Sequence, residues 1–211
     1  MLDNIHWLGH AAFRIDGPGA VVYFDPRNLK DPVPADVICV THGHFDHLSV
    51  EDIAKVARAG TVIVCPASCA DRARAAVSSK VSVRAAAPGQ TLRLGTVTVE
   101  TVPSYNTSKP NHPRSAGNLG FVVEAGGQRV YFAGDTDLIP EMADIRCDVA
   151  LLPVGGTYTM NAEEAAQAAA AIKPGYAIPM HWGEVVGSRA DAERFVKLLP
   201  QGVQGVLLSA E

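Results

Sequence analysis

Short apolar runs recur along most of the chain and alternate with turn residues. Runs rich in Val, Ile and aromatic residues, bounded by Gly, Pro, Asn or Asp, are typical of β-strands. Gly95 and the segment 125–127 each separate two such runs, so we interpret them as hairpin turns. The pattern predicts strands over Ala20–Phe24, Val37–Val40, Thr61–Cys65, Val81–Arg84, Leu92–Leu94, Val97–Val102, Phe121–Glu124, Val130–Ala133, Val149–Val154, Tyr176–Met180 and Val203–Leu208.

Capped helical segments lie between some of these strands. Ser49 can cap a helix over 50–57 that we expect to end near Gly60. Asn161 is typical of a capping box that opens a helix over 162–172. Two further helices are predicted over Ser68–Val77 and Ala190–Leu199.

The order of these elements indicates the fold class. Strands, a histidine-rich turn and helices are followed by strands, an Asp-bearing turn and helices that alternate with strands. This mixture suits an α/β fold in which two sheets pack together with helices outside, a four-layer αββα sandwich. A length of 211 residues fits one domain, and no linker or short repeat divides the chain. We therefore predict a single domain over 1–211.

Charge and composition limit the classes of partner and the location that we expect for this protein. The net charge of −4 provides no overall basic field, so we expect no nucleic-acid partner. No apolar run approaches the ~20 residues that span a bilayer. The first residues lack the basic and apolar segments of a signal peptide, and the four irregularly spaced cysteines do not suggest disulfides. We expect a cytoplasmic protein without a membrane span.

One segment, His-Gly-His-Phe-Asp-His at 42–47, concentrates the candidate chemistry directly after a predicted strand. In extended chain, the side chains of His42 and His44 project to the same side and can approach one ion together. Asp46 and His47 follow where the chain turns toward a helix, so they can face a second ion. Imidazole and carboxylate are ligands that zinc, manganese and iron accept. The segment therefore predicts a metal site.

The same segment resembles the signature motif of the metallo-β-lactamase superfamily. Other landmarks agree in order: the strand ending at Asp25-Pro26, the strand ending at Gly134-Asp135, and the strand followed by His181. The opening 7–13 and the stretch 151–160 are similar to the small branch that contains ascorbate-6-phosphate lactonase and uncharacterised metal-dependent hydrolases. The resemblance implies a dinuclear centre with Asp135 bridging the ions and His181 on the second ion.

The resemblance leaves the third histidine of the first ion open. The superfamily supplies it at the end of a middle strand, where this chain has Asn106, and His112 follows six residues later. Either His112 completes the site, or Asn106 does so weakly, or the first ion is held loosely. We favour His112, because imidazole is the better ligand for a borderline ion.

Residues around the ions have candidate roles of their own. Asp25 is expected to accept a hydrogen bond from a metal-binding histidine, although it could simply turn the chain. His10 is expected to line the pocket as a catalytic group that donates to a substrate oxygen, with a core histidine as the alternative. Tyr158 is a candidate for substrate contact. Lys109 and Arg114 could steer an anionic substrate, although a solvated loop is the commoner role of such residues.

These observations favour a metal-dependent hydrolase acting on an ester, lactone or phosphodiester of a small molecule. Two divalent ions, zinc first and manganese or iron as alternatives, would lower the pKa of a shared water to about 7. Asp46 and Asp135 are the catalytic candidates beside the ions. A non-enzymatic metal-binding or sensor domain and a phosphodiesterase acting on lipid or nucleotide remain alternatives, as does assembly into a homo-oligomer.

Overall fold

A six-stranded mixed sheet forms the first half of the computed structural model, which describes residues 2–211. Its strands follow one another in chain order. The pairs β1–β2 and β2–β3 are antiparallel, and the remaining pairs are parallel. The strands are β1 (Ile5–Gly9), β2 (Ala12–Gly17), β3 (Ala20–Phe24), β4 (Ala35–Cys39), β5 (Ala57–Pro66) and β6 (Ser82–Ala86).

The second sheet has seven strands and repeats this plan. The pairs β7–β8, β8–β9 and β9–β10 are antiparallel, whereas β10–β11, β11–β12 and β12–β13 are parallel. The strands are β7 (Thr91–Leu94), β8 (Val97–Pro103), β9 (Leu119–Ala125), β10 (Gln128–Phe132), β11 (Val149–Pro153), β12 (Tyr176–Met180) and β13 (Gln204–Gly205).

Helices cover the outer face of each sheet. In α1 and α2, Ile53 and Ala73 pack with Ile38 and Ile63 on the outer face of the first sheet. The helices α3 and α4 pack on β11 and β12 of the second sheet. The helices are α1 (Val50–Val56), α2 (Ala70–Ala75), α3 (Ala162–Ile172) and α4 (Arg189–Leu198), and short 3-10 turns cover Ala67–Cys69, Arg114–Ala116 and Pro140–Asp144.

Aromatic side chains fill the space between the two sheets. The rings of Phe24 and Phe132, one from each sheet, stack with centroids 4.7 Å apart, and Phe13 meets Phe132 edge-on at 6.2 Å. All three side chains are fully buried. Burial of apolar surface at this interface is the main force that holds the sheets together. The predicted four-layer α/β sandwich is confirmed.

Several predicted boundaries were wrong. The helix after Ser49 ends at Val56 instead of near Gly60, because the chain from Ala57 onward already pairs with β4. The strand predicted over 203–208 shrinks to Gln204–Gly205. After it the chain turns toward β1, where the backbone N–H of Glu211 donates to the Trp7 carbonyl.

Other elements were missed or shortened. The strands β1 and β2 were not predicted, although their residues alternate between the core and the outside. The helix predicted over 68–77 is a 3-10 turn followed by the short α2. Within residues 2–211, no helix combines the length and the apolar character needed to cross a membrane.

Asp52 joins α1 to the loop that follows β3. Its carboxylate accepts hydrogen bonds from the Ser49 hydroxyl at 2.7 Å and from the backbone N–H groups of Asn28 and Leu29 at 2.9 and 3.2 Å. Lys55 donates to the same group at 3.0 Å. Burial alone would raise the pKa of Asp52, but its hydrogen bonds with Ser49 and Lys55 lower the pKa overall.

We expect Asp52→Asn to lower the free energy of unfolding by about 1–2 kcal/mol at pH 7, because buried donors lose their charged acceptor. Since the folded-state pKa is depressed, this stability is fully present above the unfolded pKa of about 4 and is lost as pH falls through the folded pKa. Urea unfolding at pH 7 and pH 3.5 measures both effects.

The exposed Asp71→Asn variant in α2 is the matched control and should change stability by less than about 0.5 kcal/mol. An Asp52→Asn deficit that is equally large at both pH values would contradict the role of the carboxylate charge.

Candidate metal centre

The histidine-rich turn after β4 lies at one edge of the sandwich, where the carboxyl ends of parallel strands from both sheets meet. In open α/β sheets this edge is the usual place for a ligand site. Turns that follow β3, β4, β10 and β12 bring together residues far apart in the chain. They carry Asp25, the segment 42–47, Asp135 and His181 respectively.

Three imidazoles form a first cluster. Nε2 of His42 lies 3.0 Å from Nδ1 of His44, and Nε2 of His112 lies 3.2 Å from the same Nδ1. The ligand atoms of these three residues all lie within 4.8 Å of one another. His112, and not Asn106, thus occupies the third position of this cluster.

A second cluster lies beside the first and combines imidazoles with a carboxylate. Oδ2 of Asp46 lies 3.6 Å from Nε2 of His47 and 3.7 Å from Nε2 of His181. His10 reaches the same oxygen with its Nε2 at 3.2 Å. All four residues are buried.

Asp135 stands between the two clusters. Its Oδ1 lies 3.2 Å from Nε2 of both His47 and His181. Its Oδ2 faces the first cluster, 3.4 Å from Nε2 of His112 and 3.9 Å from Nε2 of His42. One carboxylate therefore presents one oxygen to each cluster, which is the arrangement of a bridging ligand.

Unpaired donor atoms at the centre of the second cluster fit a cation. Nε2 of His47, Oδ1 of Asp135 and Nε2 of His181 are buried and have no hydrogen-bond partner within the described residues. Leaving such atoms unsatisfied is costly unless an ion or water binds them. Nitrogen and oxygen atoms in this combination are typical of zinc and of other first-row divalent metals.

The electrostatics around Asp135 also fit a bound cation. Burial alone would raise the pKa of Asp135, but the charges of His181 and His47 hold that pKa well below its usual range. Burial alone would lower the pKa of His181, but Asp135 raises it to about 9. The buried carboxylate thus requires positive charge around it, which protonated imidazoles or a bound cation can provide.

Asp25 and Thr41 orient two of the clustered histidines. Asp25 Oδ2 accepts from Nδ1 of His47 and from the Thr41 hydroxyl, each at 2.6 Å, and Oδ1 accepts from the Thr41 backbone N–H at 2.8 Å. Because the hydroxyl hydrogen is used on Asp25, Thr41 Oγ1 accepts from Nδ1–H of His42 at 3.0 Å. Both rings are therefore left with a free Nε2 lone pair toward the centre.

Asn106 orients His112 in a similar way. Its Nδ2 donates to Asp137 Oδ1 at 3.0 Å and to the Tyr158 carbonyl at 2.9 Å. Its Oδ1 must then face His112, where it accepts from the backbone N–H and from Nδ1–H, each at 3.0 Å. Asp137 thereby fixes the amide orientation of Asn106, and Asn106 fixes the tautomer of His112.

Unusual backbone conformations shape the turns of the site. His10, Asp25 and His181 have positive φ angles of 48°, 41° and 58°. The carbonyl of His10 accepts from the backbone N–H of His181 at 2.9 Å and from Trp7 Nε1 at 3.0 Å, which ties two of these turns together. Gly155 allows a close approach, since a Cβ there would lie 2.6 Å from the His181 carbonyl oxygen.

The remaining candidates have mixed placements. His10 lies behind Asp46, and its ring is tilted by 43° against that of His181, with the centroids 4.1 Å apart. His10 does not line the small cavity that adjoins the clusters, whereas Tyr158 does. Neither predicted cation faces the clusters. Lys109 pairs with Asp137, and Arg114 pairs with Glu141 at 2.8 Å.

Sequence reasoning missed Thr41 and Asp137 as residues that hold the site. Thr41 directly precedes the histidine motif, and Asp137 follows two residues after Asp135, so proximity in sequence was the only available signal. Thr41 is hydrogen-bonded to Asp25, which lies 16 residues away in the chain, and Asp137 is hydrogen-bonded to Asn106, which lies 31 residues away. Such contacts become visible only in the folded protein.

Comparison with known proteins agrees with the fold and the motif. The family model described as "Beta-lactamase superfamily domain" matches residues 4–181. The chain is 36% identical to a UPF0173 metal-dependent hydrolase of Thermoplasma acidophilum, over 92% of this chain and 90% of that protein. It is 37% identical to a UPF0173 metal-dependent hydrolase of Archaeoglobus fulgidus, over 92% and 89% of the two chains.

Two crystal structures share the architecture. A Parabacteroides distasonis protein described as a metal-dependent hydrolase superposes with a TM-score of 0.84 at 27% identity, covering 98% of this chain and 93% of that one. Igni18, a metallo hydrolase from Ignicoccus hospitalis, superposes with a TM-score of 0.80 at 23% identity, covering 98% and 94%. The second likeness is one of fold alone.

We expect His112 to be neutral at pH 7 and protonated on Nδ1, because burial lowers its pKa and Asn106 Oδ1 accepts the Nδ1 proton. In Asn106→Ala this preference should weaken to a mixture of tautomers. Long-range ¹H–¹⁵N correlation spectra of the metal-free protein measure the tautomer directly.

The exposed Asn111→Ala variant, in the same loop, should leave the tautomer unchanged. An unchanged His112 spectrum in Asn106→Ala would show that something other than Asn106 sets the ring.

Proposed function

The chain belongs to the metallo-β-lactamase superfamily and, within it, to the UPF0173 metal-dependent hydrolase family. On that premise we propose that it is a hydrolase with a dinuclear metal centre, acting on an ester, lactone or phosphodiester bond of a small molecule. The observation that carries the proposal is the position of Asp135. It is a buried carboxylate with one oxygen toward each of two neighbouring ligand clusters.

The first ion would be held by His42, His44 and His112, and the second by Asp46, His47 and His181, with Asp135 shared between them. His10 stands behind Asp46 and supports its position. Zinc fits this nitrogen-rich set, and manganese or iron would be accepted as well. Two such ions lower the pKa of water to about 7 and polarise the oxygen of the bond to be cleaved.

Asp46 is the residue best placed to handle the proton of the attacking water. Burial alone would raise its pKa, but the hydrogen bond from His10 and the neighbouring imidazoles lower it, so Asp46 is a carboxylate at neutral pH. His10 contacts its Oδ2, whereas no residue within 2–211 forms a hydrogen bond or an ion pair with its Oδ1, and the residue lines the cavity. Oδ1 can therefore accept a proton from water and pass it on.

The proposed hydrolysis consumes one water molecule and needs no other co-reactant. The water oxygen forms a bond to the acyl carbon or phosphorus, and the bond from that atom to the leaving oxygen breaks. The proton carried by Asp46 ends on the leaving oxygen. Tyr158, which lines the same cavity, is placed to donate a hydrogen bond to an oxygen of the substrate.

We expect about two divalent ions per chain in protein purified without a tag or chelator, measured by elemental mass spectrometry. His42→Ala and His112→Ala should each lose about one ion, because each removes one ligand of the first cluster. The matched control is His6→Ala, since His6 pairs with Asp16 and Glu211 away from the site. Failure to bind zinc, manganese or iron on reconstitution would refute the proposal.

We expect the metal-loaded protein to hydrolyse members of a panel of esters, lactones and phosphodiesters, and chelation to abolish the activity. Asp46→Asn should lower kcat by about 100-fold or more, since the proton acceptor is lost. Metal content measured on the same sample separates this effect from loss of an ion. A protein that binds two ions and cleaves nothing in the panel would instead be a metal-binding or sensor domain.

A further inference from the structure

A small cavity adjoins the two clusters. Its volume is about 260 Å³, below the roughly 300–1,000 Å³ of pockets that enclose drug-sized ligands. Its lining combines the cluster residues Asp46, His112 and Asp135 with Phe45, Tyr158 and Val185. A group bound there therefore lies close both to the reactive side chains and to the apolar side chains of Phe45 and Val185.

Two of the lining side chains, Phe45 and Val185, expose apolar surface. Phe45 has 69% of its surface accessible and Val185 has 36%, and both belong to the small set of large apolar side chains that the described part of the chain exposes. Phe45 stands in the chain between the metal-binding candidates His44 and Asp46, so its backbone lies next to the site. Covering this surface with an apolar group of the substrate is favourable by the hydrophobic effect.

Basic side chains near the cavity are already engaged. Arg27 pairs with Glu184 at 2.8 Å and lies over the Phe45 ring, with its guanidinium carbon 5.8 Å from the ring centroid. Lys109 and Arg114 pair with Asp137 and Glu141. Arg72 donates to the backbone carbonyls of Gly43 and Leu48 and does not line the cavity.

Anionic groups are normally recognised by arginine or lysine side chains free to form charge-assisted hydrogen bonds. Here the lining residues supply carboxylates, imidazoles, amide, phenol and apolar groups, and none of them is a lysine or an arginine. A carboxylate of the substrate placed against Phe45 and Val185 would lose water, and no lysine or arginine among the lining residues would compensate that cost.

We propose that the substrate is a small, uncharged carboxylic ester or lactone whose short apolar acyl group lies against Phe45 and Val185. The inference rests on the proposed hydrolase function and specifies its substrate class. A phosphodiester carries a negative charge at neutral pH, and no lysine or arginine of the lining is available to share it, so a neutral ester fits this lining better.

The test uses two esters that share a leaving group and a carbon count. The neutral one is p-nitrophenyl hexanoate, and the anionic one is mono-p-nitrophenyl adipate, which differs by a terminal carboxylate. With the metal-loaded protein, and uncatalysed hydrolysis subtracted, we expect kcat/KM to be at least about tenfold higher for the hexanoate. p-Nitrophenyl dodecanoate should be no better a substrate than the hexanoate, because its added carbons extend beyond the cavity and gain no contact there.

Phe45→Ala should reduce kcat/KM for the hexanoate by about tenfold, mostly by raising KM. It should also lower the ratio of kcat/KM for the hexanoate to kcat/KM for the adipate. Leu198→Ala removes another exposed apolar side chain, from α4, and should change neither value. Metal content is measured on both variants, since Phe45 lies within the histidine motif.

Distinct results would overturn the inference and the hydrolase proposal. Equal or faster turnover of the adipate, or a hexanoate rate that is indifferent to Phe45→Ala, would overturn the inference alone. Cleavage of bis-p-nitrophenyl phosphate without cleavage of the esters would do the same and leave the hydrolase standing. Failure to cleave any of these substrates with two ions bound would overturn the proposed function itself.

Discussion

The buried negative charge of Asp135 is the constraint on which the rest of the site depends. A carboxylate that is 3% exposed is tolerated only where positive charge or donors surround it. The protein supplies imidazoles from the ends of strands in both sheets and from the loop that carries His112, each with a ring nitrogen toward the carboxylate. The same arrangement that compensates this charge brings together two adjacent clusters of side chains that could hold metal ions, so the stability of this edge and its chemistry have one origin.

The geometry is maintained at a cost in backbone strain. Residues other than glycine lose about 1–2 kcal/mol in the left-handed region, and His10, Asp25 and His181 all adopt it. Each is held by long-range contacts: Asp25 by Thr41 and His47, and His181 by the carbonyl of His10. Packing of the two sheets through Phe24 and Phe132 fixes the strands from which these turns emerge. The stability of the packed core therefore offsets the energetic cost of the strained turns at the edge.

The loop 104–112 positions His112 beside the first cluster without the support of a strand end. His112 does not lie on a strand end and therefore needs its own support, which Asp137 and Asn106 provide through a chain of hydrogen bonds. Lys109 and the backbone of Thr107 bind the same Asp137 carboxylate. A basic side chain that the sequence suggested for substrate steering instead secures the loop and supplies no cation to the cavity lining.

The sequence by itself determined the layered α/β fold, most strands, and the central motif, because the period of apolar residues and the spacing of His42, His44, Asp46 and His47 act over a few residues. It indicated Asp135 and His181 through their order along the chain. It could not decide between Asn106 and His112, nor find the roles of Thr41 and Asp137. Those depend on contacts across 16 to 68 residues. Only the packing of the two sheets determines which side chains meet at their shared edge and which charges are already paired.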